Sequence, residues 1–181
     1  MKSNTKLVLI IIAVVIAVIL MSVFMVQSSQ NKAISLEEAV YTAKSDINVQ
    51  EKRRVDLVYN LADCIKQYDA HESNTLTELA ENMSKGNEVT DVNTAIAAVT
   101  YNYPELKSNE NYKQLMNELS ITENMIAQYR ENYNKSVNSY KRYVKKFPSR
   151  IFLSWTGYEV IDFERLDYDA PVDAPQSLFE D

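Results

Sequence analysis

Two glycines and four prolines in 181 residues leave this chain few places to turn. Both residues punctuate loops, so their scarcity argues for few turns and long helices. Two glycines, Gly86 and Gly157, cannot build a glycine-rich phosphate loop. A single cysteine, Cys64, excludes an internal disulfide. It is expected to pack as a small apolar residue. A single histidine, His71, cannot found a histidine-rich metal site. His71-Glu72 opens like the zinc motif His-Glu-x-x-His, but Thr75 stands where the second histidine belongs. No run of strand length alternates between turn residues, and no nucleophile, base and orienting group can be assembled. The sequence-based expectation is an all-α chain that is not an enzyme and carries no cofactor and no metal.

Against these shortages stands one abundance. Leu7 to Val26 is an uncharged run of twenty residues whose only hydroxyl is Ser22. A helix of about 20 residues at ~1.5 Å per residue crosses the ~30 Å hydrocarbon core of a bilayer. The competing reading is a cleaved signal peptide, whose apolar core is usually only ~7–15 residues. No Ala-x-Ala site follows this run, and no cysteine follows it for a lipid anchor. The expectation is an uncleaved membrane anchor over residues 7–26, after a basic flank over residues 1–6. Lys2, Lys6 and the terminal amine precede it, whereas Lys32, Glu37 and Glu38 follow. The positive-inside tendency then places Met1 in the cytoplasm and most of the chain outside it. Gln27 to Asn31 reads as an interfacial spacer.

Ser35 and Glu38 form a capping box that opens a helix. From Leu36 through Val40, Ala43, Ile47, Gln50, Arg54, Leu57, Leu61 and Cys64 to Thr75, a stripe steps by four and three, as in a bundle or coiled coil. Gly86 can close this helix in the left-handed geometry. A second helix runs from about Glu88 to Tyr101 and is stopped by Pro104. A third starts near Ser108 or Asn109 and runs to Phe147 before Pro148. Its stripe includes Tyr112, Leu115, Leu119, Ile126, Tyr129, Tyr133, Val137, Tyr140 and Val144. The expected architecture is an antiparallel long-helix bundle over residues 35–147. It has three helices if the first is unbroken, or four if the chain reverses near Tyr59-Asn60. Residues 148–158 form an apolar segment that either caps the bundle or dips into the membrane interface, and capping is the reading preferred. Residues 159–181 carry eight acids and one Arg, net −7, which leaves +1 for residues 1–158. This tail reads as disordered. No basic face is visible, so nucleic acid is not an expected partner.

The stripe has one polar interruption. Gln50, Arg53 and Arg54 enter it, with Asp56 and Asn60 nearby, and Glu118, Glu123 and Arg130 flank the third helix. Arginine is almost never buried unpaired. The expected arrangement is a polar layer in which Arg54 meets Glu118 or Glu123, which fixes register more than it adds stability. In the alternative, both arginines reach solvent. The tyrosine stripe, Tyr112, Tyr129, Tyr133 and Tyr140, reads as core with hydroxyls at the surface, and alternatively as the lining of a ligand groove.

Two segments carry a resemblance. INVQEKRRVDLVYNLADCIKQYDAHE (residues 47–72) and YPELKSNENYKQLMNELSITENMIAQYRENYNKSVNSY with KKFPSR (residues 103–150) are similar to the signatures of the LemA family of bacterial membrane proteins. The resemblance marks Gln50, Lys52, Arg53, Arg54, Asp56, Leu57, Asn60, Leu61, His71 and Glu72. In the second segment it marks Tyr103, Pro104, Leu106, Lys107, Thr122, Glu123, Arg130, Tyr133, Asn134, Phe147 and Pro148. The family usually has Pro where this chain has Tyr59. The resemblance implies one N-terminal membrane helix, an antiparallel four-helix bundle, and no agreed activity, cofactor or catalytic residue. The functional expectation is a membrane-anchored scaffold or protein-interaction module. The alternative is a ligand-sensing bundle. The expected partners are the lipid bilayer through residues 7–26, proteins of unknown identity and, given the excess helix length, further copies of the chain.

Overall fold

The computed structural model describes residues 2–66, 70–85 and 101–166. No strand occurs among the described residues. Helix α1 spans Lys2–Ile65, α2 Ala70–Ser84, α3 Glu110–Lys145 and α4 Ser149–Trp155, and a 3-10 turn covers Pro104–Ser108. The helix expected over residues 88–101 falls outside the described residues except for Tyr101, and so does Gly86.

Helix α1 has 64 residues, about 96 Å at ~1.5 Å each. It joins what the sequence divides into anchor, spacer and first bundle helix. Gln27 and Asn31 do not break it; their side chains bond one turn apart at 3.3 Å. Extending a formed helix adds one hydrogen bond per residue fixed, whereas a second start would repeat the nucleation cost. Ser35 therefore lies mid-helix and caps nothing. The end of α1 also departs from expectation. It stops at Ile65, not near Gly86 and not at Tyr59-Asn60, although no Gly or Pro marks the place.

The chain divides into two compact units, residues 1–37 with 133–181, and residues 38–132. The second unit explains where α1 ends. Leu57, Val58, Leu61, Ala62 and Ile65 of α1 form one buried cluster with Leu76 and Ala80 of α2, Leu106 of the 3-10 turn, and Tyr112 and Leu119 of α3. Leu76 and Ala80 reach this cluster only if the chain departs from the α1 axis. Each fully buried leucine contributes ~1.5–3 kcal/mol, which exceeds the few tenths by which propensity favours a longer helix. Pro104 opens the 3-10 turn and Leu106 is its buried residue. Asn109 caps α3 by accepting the Tyr112 N–H at 3.1 Å.

In the first unit, Ser29 and Ala33 of α1, Tyr133, Val137, Tyr140 and Val144 of α3, and Ser149 and Leu153 of α4 are buried. Tyr143 donates its hydroxyl to Ser29, at 3.2 Å to the carbonyl and 3.1 Å to Oγ. Helix α4 closes on Gly157, whose φ of +67° favours glycine. Tyr158 N–H returns to Leu153 O at 3.1 Å and Gly157 N–H to Ser154 O at 3.3 Å, the Schellman pair. In contrast, the large apolar side chains from Leu7 to Met25 are each at least half exposed. This is the one helix among the described residues long and apolar enough to cross a membrane.

Candidate functional site

The polar interruption in α1 is a set of ion pairs within residues 38–132. Arg54 Nη1 lies 3.4 Å from Glu123 Oε1 and 3.5 Å from Oε2. Arg130 Nη2 lies 3.1 Å from Glu51 Oε1, and Arg53 Nη2 3.7 Å from Glu118 Oε2. Glu51 and Arg54 are three apart on one face of α1; Glu123 and Arg130 are seven apart on one face of α3. Arg54 thus meets Glu123, and Glu118 takes Arg53. Gln50, next to Glu51 in α1, is buried, and neither its Oε1 nor Arg54 Nε has a hydrogen-bond partner among the described residues. Thr122, fully buried beside Glu123, turns its hydroxyl back to Glu118 O at 2.8 Å. Asp56 and Asn60 point to the surface and stand outside the layer.

Glu51 is the member that stripe reading misses, because position 51 lies beside the stripe. The signal was present in the sequence: an acid three residues before Arg54. About a quarter to a half of each paired side chain remains in solvent. Pairs of that exposure contribute ~0.2–1 kcal/mol each.

Two tyrosines of the stripe, Tyr133 and Tyr140, have a different use, whereas Tyr112 packs in the apolar cluster. Within the first unit, residues 158–166 lie along α3, so the first eight residues of the acidic tail are ordered where disorder was expected. Tyr158 donates its hydroxyl to Glu37. Its single proton is thereby committed, so Tyr140, 3.2 Å away, donates to Tyr158. Tyr140 in turn accepts the Ile161 N–H at 3.1 Å. Tyr133 donates to Glu164 O at 3.0 Å. Asn134 offers its amide N–H to Leu166 O at 2.7 Å and accepts the Leu166 N–H at 2.9 Å, as a neighbouring strand would. Phe163 meets the Tyr140 ring edge-on at 5.2 Å, and Lys141 pairs with Asp162 at 2.7 Å.

Burial, then the bonds to Glu37 and Tyr140, push the Tyr158 phenol far above its usual range, so it stays neutral. The Lys141 hydrogen bond holds the Asp162 carboxyl below its usual range. Burial pushes the Cys64 thiol up, away from the thiolate that nucleophilic chemistry needs. His71 is exposed on α2. Among the described residues no three His, Cys, Asp or Glu side chains gather where a metal could bind. What the two arrangements do chemically is hold: one pairs helix faces, the other straps a segment to a helix.

Residues 43–176 match the profile of the LemA family. The chain belongs to the LemA family. The family match begins in α1 before the ion pairs and takes in the whole docked segment. The chain is 32% identical over 88 residues to magnetosome protein MamQ 2 of Paramagnetospirillum magneticum strain AMB-1, covering 48% of this chain and 32% of that protein. It is 30% identical over 87 residues to magnetosome protein MamQ of Magnetospirillum gryphiswaldense, covering 47% and 32%. Its likeness to protein LemA of Metamycoplasma hominis is 23% over 173 residues, covering 81% and 76%. The chain thus spans about a third of the length of its magnetosome relatives. Gln50, Arg53, Arg54, Glu118, Glu123 and Arg130 all fall inside the LemA match, so the ion-pair layer is part of the family region.

Proposed function

We propose that this LemA-family chain is a membrane-anchored scaffold, an antiparallel helical bundle that presents a face to protein partners and has no catalytic role. One observation carries the anchoring: the run from Leu7 to Met25 is uncharged and its large apolar side chains are exposed, while the same helix continues to Ile65. Such a run left in water is strongly unfavourable and is satisfied by lipid. The antiparallel reading draws on the order of the ion pairs. From Glu51 to Arg54 the partner falls from Arg130 to Glu123, so the two helices run in opposite directions. The orientation proposed is Met1 in the cytoplasm and the bundle outside, on the charges that flank the run.

Two experiments test this. Carbonate washing of membranes should leave the intact chain in the pellet, and its release refutes the anchor. Crosslinking in native membranes followed by capture should return defined protein partners or further copies of the chain; a negative result across growth conditions refutes the scaffold. The alternative, a ligand-sensing bundle, has less support, because the tyrosine stripe carries the tail and Arg53 and Arg54 are each paired. A metabolite that raises the unfolding temperature in proportion to its concentration would restore it.

A further inference from the structure

We infer that the segment from Arg142 to Trp155, the end of α3 with α4, seats on the headgroup layer of the bilayer, with anionic phospholipid as its partner. This rests on the anchoring of Leu7–Val26 proposed above. Three observations within the first unit converge on it.

The first is depth. Tyr143 bonds to Ser29, three residues beyond the apolar run and thus only ~4.5 Å along the axis. Phe152 and Pro148 share a groove with Met21, Phe24 and Met25, which belong to the run itself. A helix that touches the last turns of a spanning segment lies at the level where hydrocarbon gives way to headgroups. The second is the outward face. Leu153 and Ser149 are buried, whereas Ile151 and Trp155, one turn apart on α4, and Phe147 in the turn before α4 are exposed, Phe147 by 77% and Trp155 by 72%. Scattered exposed apolar residues need no explanation. Three on one short stretch beside a membrane helix match the aromatic belt found at headgroup level. The third is charge. Arg142, Lys145, Lys146 and Arg150 are exposed on the same stretch, and Lys146 lies 5.2 Å from the Tyr143 ring centre. The docked acidic segment pairs the neighbouring Lys141 through Asp162, which also attracts Lys145, and leaves Lys146 and Arg150 to the surface. Cations beside an anionic surface each strengthen attachment roughly fivefold. Their aliphatic stems lie along apolar surface while the heads reach phosphate.

Trp155 is the only tryptophan in the chain, so the native protein reports on itself. The full chain is placed in vesicles of phosphatidylcholine with and without phosphatidylglycerol, and flotation confirms insertion. The expected result is a blue-shifted Trp155 emission and loss of iodide quenching. Lipids brominated near the glycerol backbone should quench it more strongly than lipids brominated near the bilayer centre. The effect should be larger with phosphatidylglycerol. Reversing Lys145→Glu, Lys146→Glu and Arg150→Glu together should erase that difference while helicity holds. If the chain floats but iodide reaches Trp155 and neither brominated lipid does, the inference fails alone and the anchor stands. Quenching indifferent to phosphatidylglycerol and to the charge reversal overturns the anionic partner. A chain that does not float refutes the anchor and this inference with it.

Discussion

Replacing Tyr140 by Phe removes one oxygen and tests the whole docking of the tail. Tyr140 is fully buried, and its hydroxyl is the joint between Tyr158 and the backbone at Ile161. Its ring can stay in place, so the stack with Phe163 survives. Two hydrogen bonds are lost. Each contributes ~0.5–1.5 kcal/mol net, and ~1–3 kcal/mol if the orphaned group stays dry. Tyr158 and Ile161 are half-buried, so water can reach the released groups, and the lower figure applies. The sum is ~1–3 kcal/mol, a factor of about 5–150 in a local equilibrium. Hydrogen exchange on the full chain in nanodiscs reads this directly. Amides of residues 159–166 should exchange about 5–150 times faster in Tyr140→Phe, because they open as a local unit. Amides around Ile126 should not change. The reasoning is refuted if the Ile161 and Leu166 amides exchange at the same rate in both proteins, or if the unaltered chain already exchanges there as an unfolded peptide would.

Leu61→Ala empties a fully buried position in the main apolar cluster and should cost ~2–5 kcal/mol, read as a lower denaturant midpoint at unchanged slope. A double-mutant cycle on Arg54 and Glu123, whose side chains are 27% and 34% exposed, should give a coupling of ~0.2–1 kcal/mol; several kcal/mol would contradict a solvent-screened pair. The Asp162 carboxyl is lowered by Lys141, so the folded state binds its proton less readily than the unfolded chain does. Its contribution to tail docking is present above the ordinary carboxylate range and is lost as pH falls through the depressed value. Protection of the Leu166 amide, measured against the intrinsic exchange rate at each pH, should therefore fall on acidification and in high salt, and Asp162→Asn should blunt both responses.

Helix periodicity made much of this molecule legible. The stripe positions Val40, Ala43, Ile47, Leu57 and Leu61 are buried as their spacing requires, and Pro104 and Asn109 bound the turn and α3 where the residues indicate. Two features were not legible. The end of α1 at Ile65 is set by what Leu76 and Ala80 gain on burial, a contact between residues far apart along the chain, and no local breaker announces it. Val58, Ala62 and Ile65 are buried beside the stripe for the same reason: this stretch of helix is covered on a face wider than a single row. The docked tail was hidden by its composition. Net charge and proline content describe residues 159–181 on average, whereas docking depends on four side chains of α3, Tyr133, Asn134, Tyr140 and Lys141, placed to meet backbone groups and one carboxylate. The polar layer was half legible. Arginine in an apolar stripe demands an acid, but which acid depends on registration that spacing leaves free.

We expect the layer to remove that freedom. Positions stepping by four and three repeat every heptad, so spacing alone would let α1 and α3 pair in registers displaced by about 10 Å. The three ion pairs are partly solvated and add little, and Gln50 Oε1 and Arg54 Nε lack partners at some cost. Leucine at positions 50 and 54 would raise stability and widen the choice. A one-heptad slip in the present sequence would separate Glu51 from Arg130 and Arg54 from Glu123; in one direction it sets Arg54 opposite Arg130, and in the other it sets Arg54 opposite Met116 and Glu51 opposite Glu123, so either slip leaves like charges facing each other or a charge against apolar surface. On this reading the apolar cluster around Leu61 supplies most of the stability of residues 38–132, and the charged layer is expected to exclude the alternatives; a Gln50→Leu, Arg54→Leu chain that keeps a single register would refute that.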